Sequence, residues 1–489
     1  MNQERPYVLA LDLGASSGRA ILVHYDGQQI TLEEVYRFDN MPIQKNEKLY
    51  WDVDALFSHI QTGMIKAYQK HPFVSVGIDT WGVDYGLLDA KGNLVDLPRH
   101  YRDPRTNSDH YVRMVRKQIP DDTLYERSGI QLMPINSLYQ LLDDKQNPTW
   151  KCVHHMLFMP DLFAYKLTGC ISAERSIAST SQMLLQKTGG WDMELLQQMQ
   201  IPASILPPIA ESGSIKGTLS PEIQNQLQLP PVPVIAICEH DTQCAAFAAP
   251  AQTPSYAFLS CGTWSLFGTV SDQPCLTSEA AHLGWSNEIG YNKQVTFLKN
   301  ITGLWLIQES RRFYAKQGQS FQYDQIEQMA SHCHIESIID PNDPVFMPEG
   351  NIPERVQAYC RNTNQVVPQT PAEIFRCIYQ SLALTYRIAL EELESCMQNT
   401  YDALYLLGGG VKDQLLCQLT ADACQIPVLA GPVEATVYGN GAIQLIASGA
   451  IASAEEAHRV IAASANPQTY TPGEFPRHLY DCAQHNLRA

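Results

Sequence analysis

Two segments of the 489-residue chain share a layout suited to holding phosphate. Leu11-Asp12-Leu13-Gly14-Ala15-Ser16-Ser17-Gly18-Arg19 and Leu259-Ser260-Cys261-Gly262-Thr263-Trp264-Ser265-Leu266 each read as strand, turn, strand, with glycine and small hydroxylated residues in the turn. Such a turn aims backbone N–H groups and hydroxyls into one space, the geometry that cradles phosphate oxygens. Glycine there lets the backbone approach closely, with no Cβ in the way. One Gly/Ser hairpin is an ordinary turn. Two of them, one in each half, joined by a third turn at Gly408-Gly409-Gly410 between a strand and a helix, point to chemistry. The triple-glycine turn suits either plain packing or an adenine or ribose resting against it. Neither a Walker A run nor G-x-G-x-x-G is present, so the P-loop and dinucleotide-fold readings fail on their own signatures.

The elements that must position these turns alternate between strand and helix. Residues 7–12 and 20–25 read as strands, and Asp26-Gly27 turns the chain into a third strand at 30–35, an antiparallel meander. A helix follows at 53–68 behind Asp52 as its cap, then strands at 74–79 and 85–88. From about 98 to 230 the pattern loosens, and its many prolines predict loops capping a lobe, apart from a helix after Met159-Pro160-Asp161 that closes at Gly169. A strand at 234–238 leads into His240-Asp241-Thr242. The second half begins again in the same way, with strands at 257–260 and 264–270. A capping box at Thr370-Pro371-Ala372-Glu373 then opens a helix to about 399, followed by a strand at 404–407 and a helix at 412–425. The fold class is α/β with two lobes, divided into 1–245 and 246–489, the last segment from about 450 to 489 being helical.

Composition limits the partners. The net charge of −17, from 34 Lys plus Arg against 51 Asp plus Glu, repels phosphate backbones and anionic lipid, so neither nucleic acid nor membrane is an expected partner. Thirteen cysteines are scattered without CxxC or zinc-finger spacing. His332-Cys333-His334 and Cys152-Val153-His154-His155 lack a second ligand pair and read as ordinary residues. Free thiols in such numbers, no signal-peptide pattern and no long apolar run make the cytoplasm the expected compartment.

Taken together, the motifs resemble the FGGY carbohydrate kinases, which have the actin-like, ribonuclease-H-like ATPase fold. The resemblance rests on Asp12 through Arg19, Gly77-Ile78-Asp79-Thr80-Trp81-Gly82-Val83-Asp84, Tyr101-Arg102-Asp103, Met159-Pro160-Asp161, His240-Asp241-Thr242, Ser260 through Leu266, Lys299-Asn300-Ile301 with Gly303-Leu304-Trp305 and Gln308, the triple glycine, and Gly431-Pro432-Val433-Glu434. It spans almost the whole chain. Ala15-Ser16 stands where many members have Thr-Ser, and Cys238-Glu239-His240 where glycines often precede the catalytic Asp; both departures match one branch of the family.

The resemblance implies two lobes with a central cleft, ATP as phosphoryl donor, magnesium as cofactor and a ketose as acceptor. The expected product is a sugar phosphorylated at O1, with L-rhamnulose the acceptor in the branch it resembles most and L-fuculose or xylulose as alternatives. No obligate protein partner is implied. It assigns Asp241 as catalytic base, although an Asp at a helix start can equally be a cap. It places Gly82, His240, Asp241, Thr242 and Asn300 at the sugar. It places Ala15, Ser16, Ser17, Gly18, Arg19, Thr263, Gln308 and Gly409 at the nucleotide. Asp12 would hold a hydrated magnesium through water, or else satisfy turn N–H groups. Trp81 offers a face to a sugar ring or belongs to the core. Cys360 and Cys377 are spaced like a cysteine pair of that branch, with two free thiols the expectation. A chaperone-like or cytoskeletal ATPase, or a sugar and ATP binder without turnover, would share the fold.

Overall fold

The first strand is apolar except for Asp12, and it is covered on both faces as only a central strand can be. It pairs antiparallel with the second in a meander: β1 (Tyr7–Leu13), β2 (Ser17–Tyr25) and β3 (Ile30–Asp39). The computed structural model describes residues 6–251, 255–474, 476 and 478–481. They fall into two compact units, Met1–Ala248 with Ser271–Phe297 and Thr436–Ser464, and Ala249–Val270 with Leu298–Ala435 and Ala465–Ala489. Among the described residues no helix is long and apolar enough to cross a membrane.

In the first unit α1 (Val53–Lys70) is capped by Asp52, whose carboxylate accepts from Ala55 N at 3.0 Å. It carries the chain over the sheet to β4 (Phe73–Thr80), which lies parallel to β1. Then come β5 (Tyr85–Leu88), α2 (Met159–Thr168), β6 (Ile215–Thr218), β7 (Pro233–Ile235) and α3 (Asp241–Phe247). The sheet order is β6-β7-β4-β1-β2-β3.

Two expectations need correcting here. Residues 98–230 are not loops: they form short helices such as His110–Arg116, Asp121–Ser128 and Ser137–Asp144 around an apolar cluster that includes Leu138, Leu142, Phe158 and Leu196. Pro104, Pro148 and Pro221 in this stretch sit in the first turn of a helix, where a missing N–H costs nothing, as does Pro160 in the helix expected after Met159-Pro160-Asp161. The strand expected at 234–238 ends at Ile235. Beyond it the backbone keeps isolated pairings, Ala236 N donating to Ser214 O at 2.8 Å and Thr80 N to Glu239 O at 2.9 Å. It adds bonds to side chains, Glu239 N donating to Glu174 Oε2 at 3.1 Å and His240 N to Ser176 Oγ at 3.2 Å.

The second unit repeats the opening of the first. An antiparallel pair, β8 (Ala257–Cys261) and β9 (Trp264–Ser271), is joined by the parallel β10 (Leu404–Leu407) beside β8, just as β4 joins β1. β11 (Val428–Ala430) and β12 (Gln468–Tyr470) extend it. Packed around them are α4 (Trp305–Lys316), α5 (Pro371–Met397), opened by the expected Thr370/Glu373 capping box, and α6 (Gln414–Cys424). The segment from about 450 onward holds helix Ala454–Ala465 but then turns into β12, while residues 482–489 lie outside the described residues. Cys360 and Cys377 are free, buried thiols.

α7 (Ala435–Ala447) returns the chain to the first unit, where it lays polar side chains against the sheet. Gln444 Nε2 donates to Leu9 O at 3.0 Å, Ser75 Oγ donates to Gln444 Oε1 at 2.7 Å, and Asn440 Nδ2 donates to Asp79 Oδ2 at 2.6 Å. This approach needs Gly77: a Cβ there would lie 2.5 Å from Asn440 Oδ1 and 2.7 Å from Gln444 Nε2. Gly77→Ala should therefore overpack the contact and lower the unfolding free energy by about 1–3 kcal/mol, measured by chemical denaturation.

Candidate active site

The parallel pairing of β1 with β4 sets Asp12 opposite Asp79 at the carboxyl ends of adjacent strands, where open α/β sheets bind ligands. Asp12 is 7% exposed and pairs with Arg19, its cross-strand neighbour on β2. Asp79 is fully buried. One of its oxygens accepts from Asn440 and the other, Oδ1, has no hydrogen-bond partner among the described residues. Burial drives the Asp79 carboxyl well above the carboxylate range, and the charges of Asp12 and Asp241 push the same way while Asn440 opposes them.

Asp241 joins this acidic group from α3. The helix begins at Asp241 itself, with His240 preceding it as the cap residue, and Asp241 makes no capping bond of the kind the alternative reading required. Its Oδ1 instead accepts from Thr242 N at 2.6 Å and Thr242 Oγ1 at 3.2 Å, with His240 Nε2 at 3.5 Å. The side chain is 32% exposed, open to an incoming molecule. Burial raises its pKa, His240 opposes and Asp12 adds, with solvent access tempering the push.

Buried charges hold the 239–241 segment in place. Lys216, Asp161 and Glu239 have side chains at most 1% exposed. Lys216 Nζ donates to Glu239 Oε1 at 2.9 Å and Oε2 at 3.0 Å, and to Asp161. Burial disfavours the Lys216 cation, but the two carboxylates outweigh it and hold its pKa above the usual value. Glu174, also fully buried, accepts from Ser176 N at 2.8 Å, Ser212 Oγ at 2.6 Å and Glu239 N at 3.1 Å.

Gly82 faces His240: a Cβ at this position would lie 3.2 Å from the imidazole Nε2. The next residue, Val83, has φ +66° and centres a γ-turn in which Asp84 N donates to Gly82 O at 2.9 Å. A β-branched residue there is strained. It is held by Thr180 Oγ1, which accepts from Val83 N at 3.2 Å, and by Ser137 Oγ, which donates to Val83 O at 2.6 Å. Trp81 belongs to the core: it is 5% exposed and packs on Trp51 with ring centroids 3.8 Å apart. Both indoles donate to Asp84 Oδ2, at 2.6 Å from Trp51 and 3.1 Å from Trp81. Burial lifts Asp84 to about 6, against the hydrogen bonds from Trp51 and Gln140.

The turn between β1 and β2 is closed by Gly14 N donating to Ser17 O at 2.9 Å and tied to Asn40, whose N donates to Ser16 O at 3.0 Å. Ala15, Ser16 and Ser17 line it, and Gly18 starts the return along β2. In the second unit Thr263 Oγ1 donates to Gln308 Oε1 at 3.4 Å. The triple-glycine turn packs on the same hairpin, Gly408 having φ +82° and ideal Cβ positions at Gly408 and Gly410 each falling 3.2 Å from Cys261 O. Gly409 is exposed, with open space where a side chain would be. The structure thus gathers Thr263, Gln308 and Gly409 in one unit, and Asp12, Ala15, Ser16, Ser17, Gly18, Arg19, Gly82, His240, Asp241 and Thr242 in the other. Asn300 stands in the second unit on the strand Val295–Thr302.

Sequence reasoning assigned no role to Asp79, Lys216, Glu174 or Glu288. Asp79 carried a signal, a lone carboxylate near the end of an apolar strand. The others sit in unremarkable sequence. No group of three or more His, Cys, Asp or Glu side chains among the described residues forms a cage for a metal ion. Asp12, at the carboxyl end of β1 and 7% exposed, is the carboxylate that fits a hydrated cation keeping its waters and taking its remaining ligands from phosphate.

Two domains of the FGGY family of carbohydrate kinases cover the chain, the N-terminal domain matching residues 7–248 and the C-terminal domain 257–448. The chain belongs to this family and is an ATP-dependent sugar kinase, a phosphotransferase acting on a sugar hydroxyl. It is 39% identical over 471 residues to a rhamnulokinase of Enterobacter sp. (strain 638), covering 95% of this chain and 94% of that one. With a Bacteroides thetaiotaomicron rhamnulokinase the figure is 38% over 473 residues, or 95% of this chain and 96% of the relative. Among solved structures it shares the two-lobed fold of a xylulose kinase from Lactobacillus acidophilus, with a TM-score of 0.80 at 17% identity over 99% of this chain and 96% of that one. A Plasmodium falciparum glycerol kinase solved with ADP gives 0.79 at 14%, over 98% and 96%.

Removing the Lys216 cation would leave Asp161 and Glu239 buried and uncompensated. Lys216→Met should cost about 3–5 kcal/mol of unfolding free energy in denaturant titration. An unchanged midpoint would show that the segment is held by other means.

Proposed function

We propose that the chain transfers the γ-phosphoryl of ATP to O1 of L-rhamnulose, with Asp241 as general base. The observation that carries this reading is the partly exposed Asp241 carboxylate, oriented by Thr242 and His240 within one acidic group with Asp12 and Asp79. A sugar hydroxyl is a very weak acid, so a carboxylate must take its proton as its oxygen bonds to phosphorus and the bond to the ADP oxygen breaks. The choice of acceptor is supported by the rhamnulokinases that match along almost the whole chain.

In this reading Gly82, His240, Thr242 and Asn300 bind the sugar. Ala15, Ser16, Ser17, Gly18 and Arg19 bind phosphate, and Thr263, Gln308 and Gly409 contact the nucleotide. Residues 1–245 carry the sugar site and the first phosphate turn, and 246–489 the nucleotide site. Asp12 would hold magnesium through water, and the ion would neutralise phosphate oxygens. We place the protein in the cytoplasm on the support of buried free thiols such as Cys238, Cys261 and Cys417.

The test is ADP release over a panel of ketoses, with and without magnesium. L-rhamnulose should give the highest kcat/KM, and omission of magnesium should abolish turnover. A higher kcat/KM for L-fuculose or xylulose would reassign the acceptor. Sugar binding with no ADP from any of them would make the chain a binding protein.

A further inference from the structure

Glu288 lies far from His240 in sequence but against it in the first unit, on the strand Trp285–Ile289, 8% exposed. Its Oε2 accepts from two groups, His240 Nδ1 at 2.8 Å and Gln243 Nε2 at 2.7 Å. Gln243 is fixed in turn, because its Oε1 accepts from Thr296 Oγ1 at 2.5 Å. The strand is anchored beside it by Ile289 N, which donates to Ser179 Oγ at 3.0 Å. A carboxylate only accepts, so His240 Nδ1 carries a proton and its Nε2 is the nitrogen turned toward Asp241, 3.5 Å from Oδ1.

We infer that Glu288 is a positioning residue for the transfer reaction, acting through His240 to keep the Asp241 carboxylate ionised and aimed at the sugar hydroxyl. The inference rests on the reading of Asp241 as base. The charge balance favours it. Burial works against an imidazolium at His240, but Glu288, with smaller help from Asp241 and Glu174, outweighs burial and lifts the group to about 9. Burial raises Asp241 in turn, and His240 is the first influence to oppose it. The other groups that act on Asp241 or feel its charge are Asp12, Asp79 and Tyr101. All three are anionic or neutral. With His240 neutral the main opposition to burial would be gone, and only the hydrogen bonds from Thr242 would still favour the carboxylate.

Glu288→Gln tests this, because glutamine keeps the shape and can still accept from Nδ1 but carries no charge. The acid limb of the kcat/KM profile for sugar-dependent ADP release should move up by about one pH unit, giving about a tenfold loss on that limb. The alkaline limb, set by loss of the His240 proton, should move down. Glu288→Asp, which keeps the charge, should recover part of both shifts. Thermal unfolding within a few degrees of wild type will show that the variants are folded. Limbs that stay put in folded Glu288→Gln, or a rise in sugar KM alone, would overturn the role. Asp241→Asn measured alongside separates the readings. If it keeps turnover, the base assignment itself fails. If it is inactive while the Glu288→Gln profile is unmoved, only the role of Glu288 fails.

Discussion

The first unit is organised around a single electrostatic constraint, the gathering of Asp12, Asp79 and Asp241 where little water reaches. Such charges repel, and desolvation penalises each of them. The fold meets this in three different ways. Arg19 is paired with Asp12 across the hairpin; Asp79 is driven toward its neutral form and fixed by Asn440; Asp241 stays partly open to solvent beside His240. Burial raises both Asp79 and Asp241, but only Asp241 has His240 beside it to favour the ionised form.

The scaffold follows from this need for rigid support. A helix from late in the sequence crosses β4 closely enough to exclude a Cβ at Gly77, and its Asn440 is what fixes Asp79. The strained turn at Val83 is held from both sides by Thr180 and Ser137. After Ile235 the 239–241 backbone is bridged to Thr80 and gripped by Glu174 and Ser176, while Lys216 clamps the Glu239 side chain. Irregular backbone at a site persists when its surroundings over-determine it, and this segment has such surroundings.

Much of this was legible in the sequence where the signal is local. The strands around the first turn, the Asp52 cap and the Thr370/Glu373 capping box depend on neighbours within a few residues, and they form as expected. The turn residues and His240-Asp241-Thr242 could be picked out because glycines, hydroxyls and a carboxylate stand together in short motifs. What stayed hidden depends on tertiary pairing. The register that sets Asp12 opposite Asp79 is fixed by parallel strands 60 or more residues apart in the chain. Glu288 gains meaning only when its strand packs against His240. Residues 98–230 misled because proline marks both loops and the first turns of helices, and only packing around Leu138 and Phe158 decides between them.

Everything proposed for the site depends on the Asp241 carboxylate doing chemistry rather than binding. A rapid-quench single turnover of Asp241→Asn with bound ATP and sugar, alongside calorimetric binding of both, measures this directly. Sugar and nucleotide Kd should stay within a few-fold of wild type, while the phosphoryl-transfer rate falls by about 10²–10⁴-fold. Transfer at close to the wild-type rate would contradict the role of Asp241 as base.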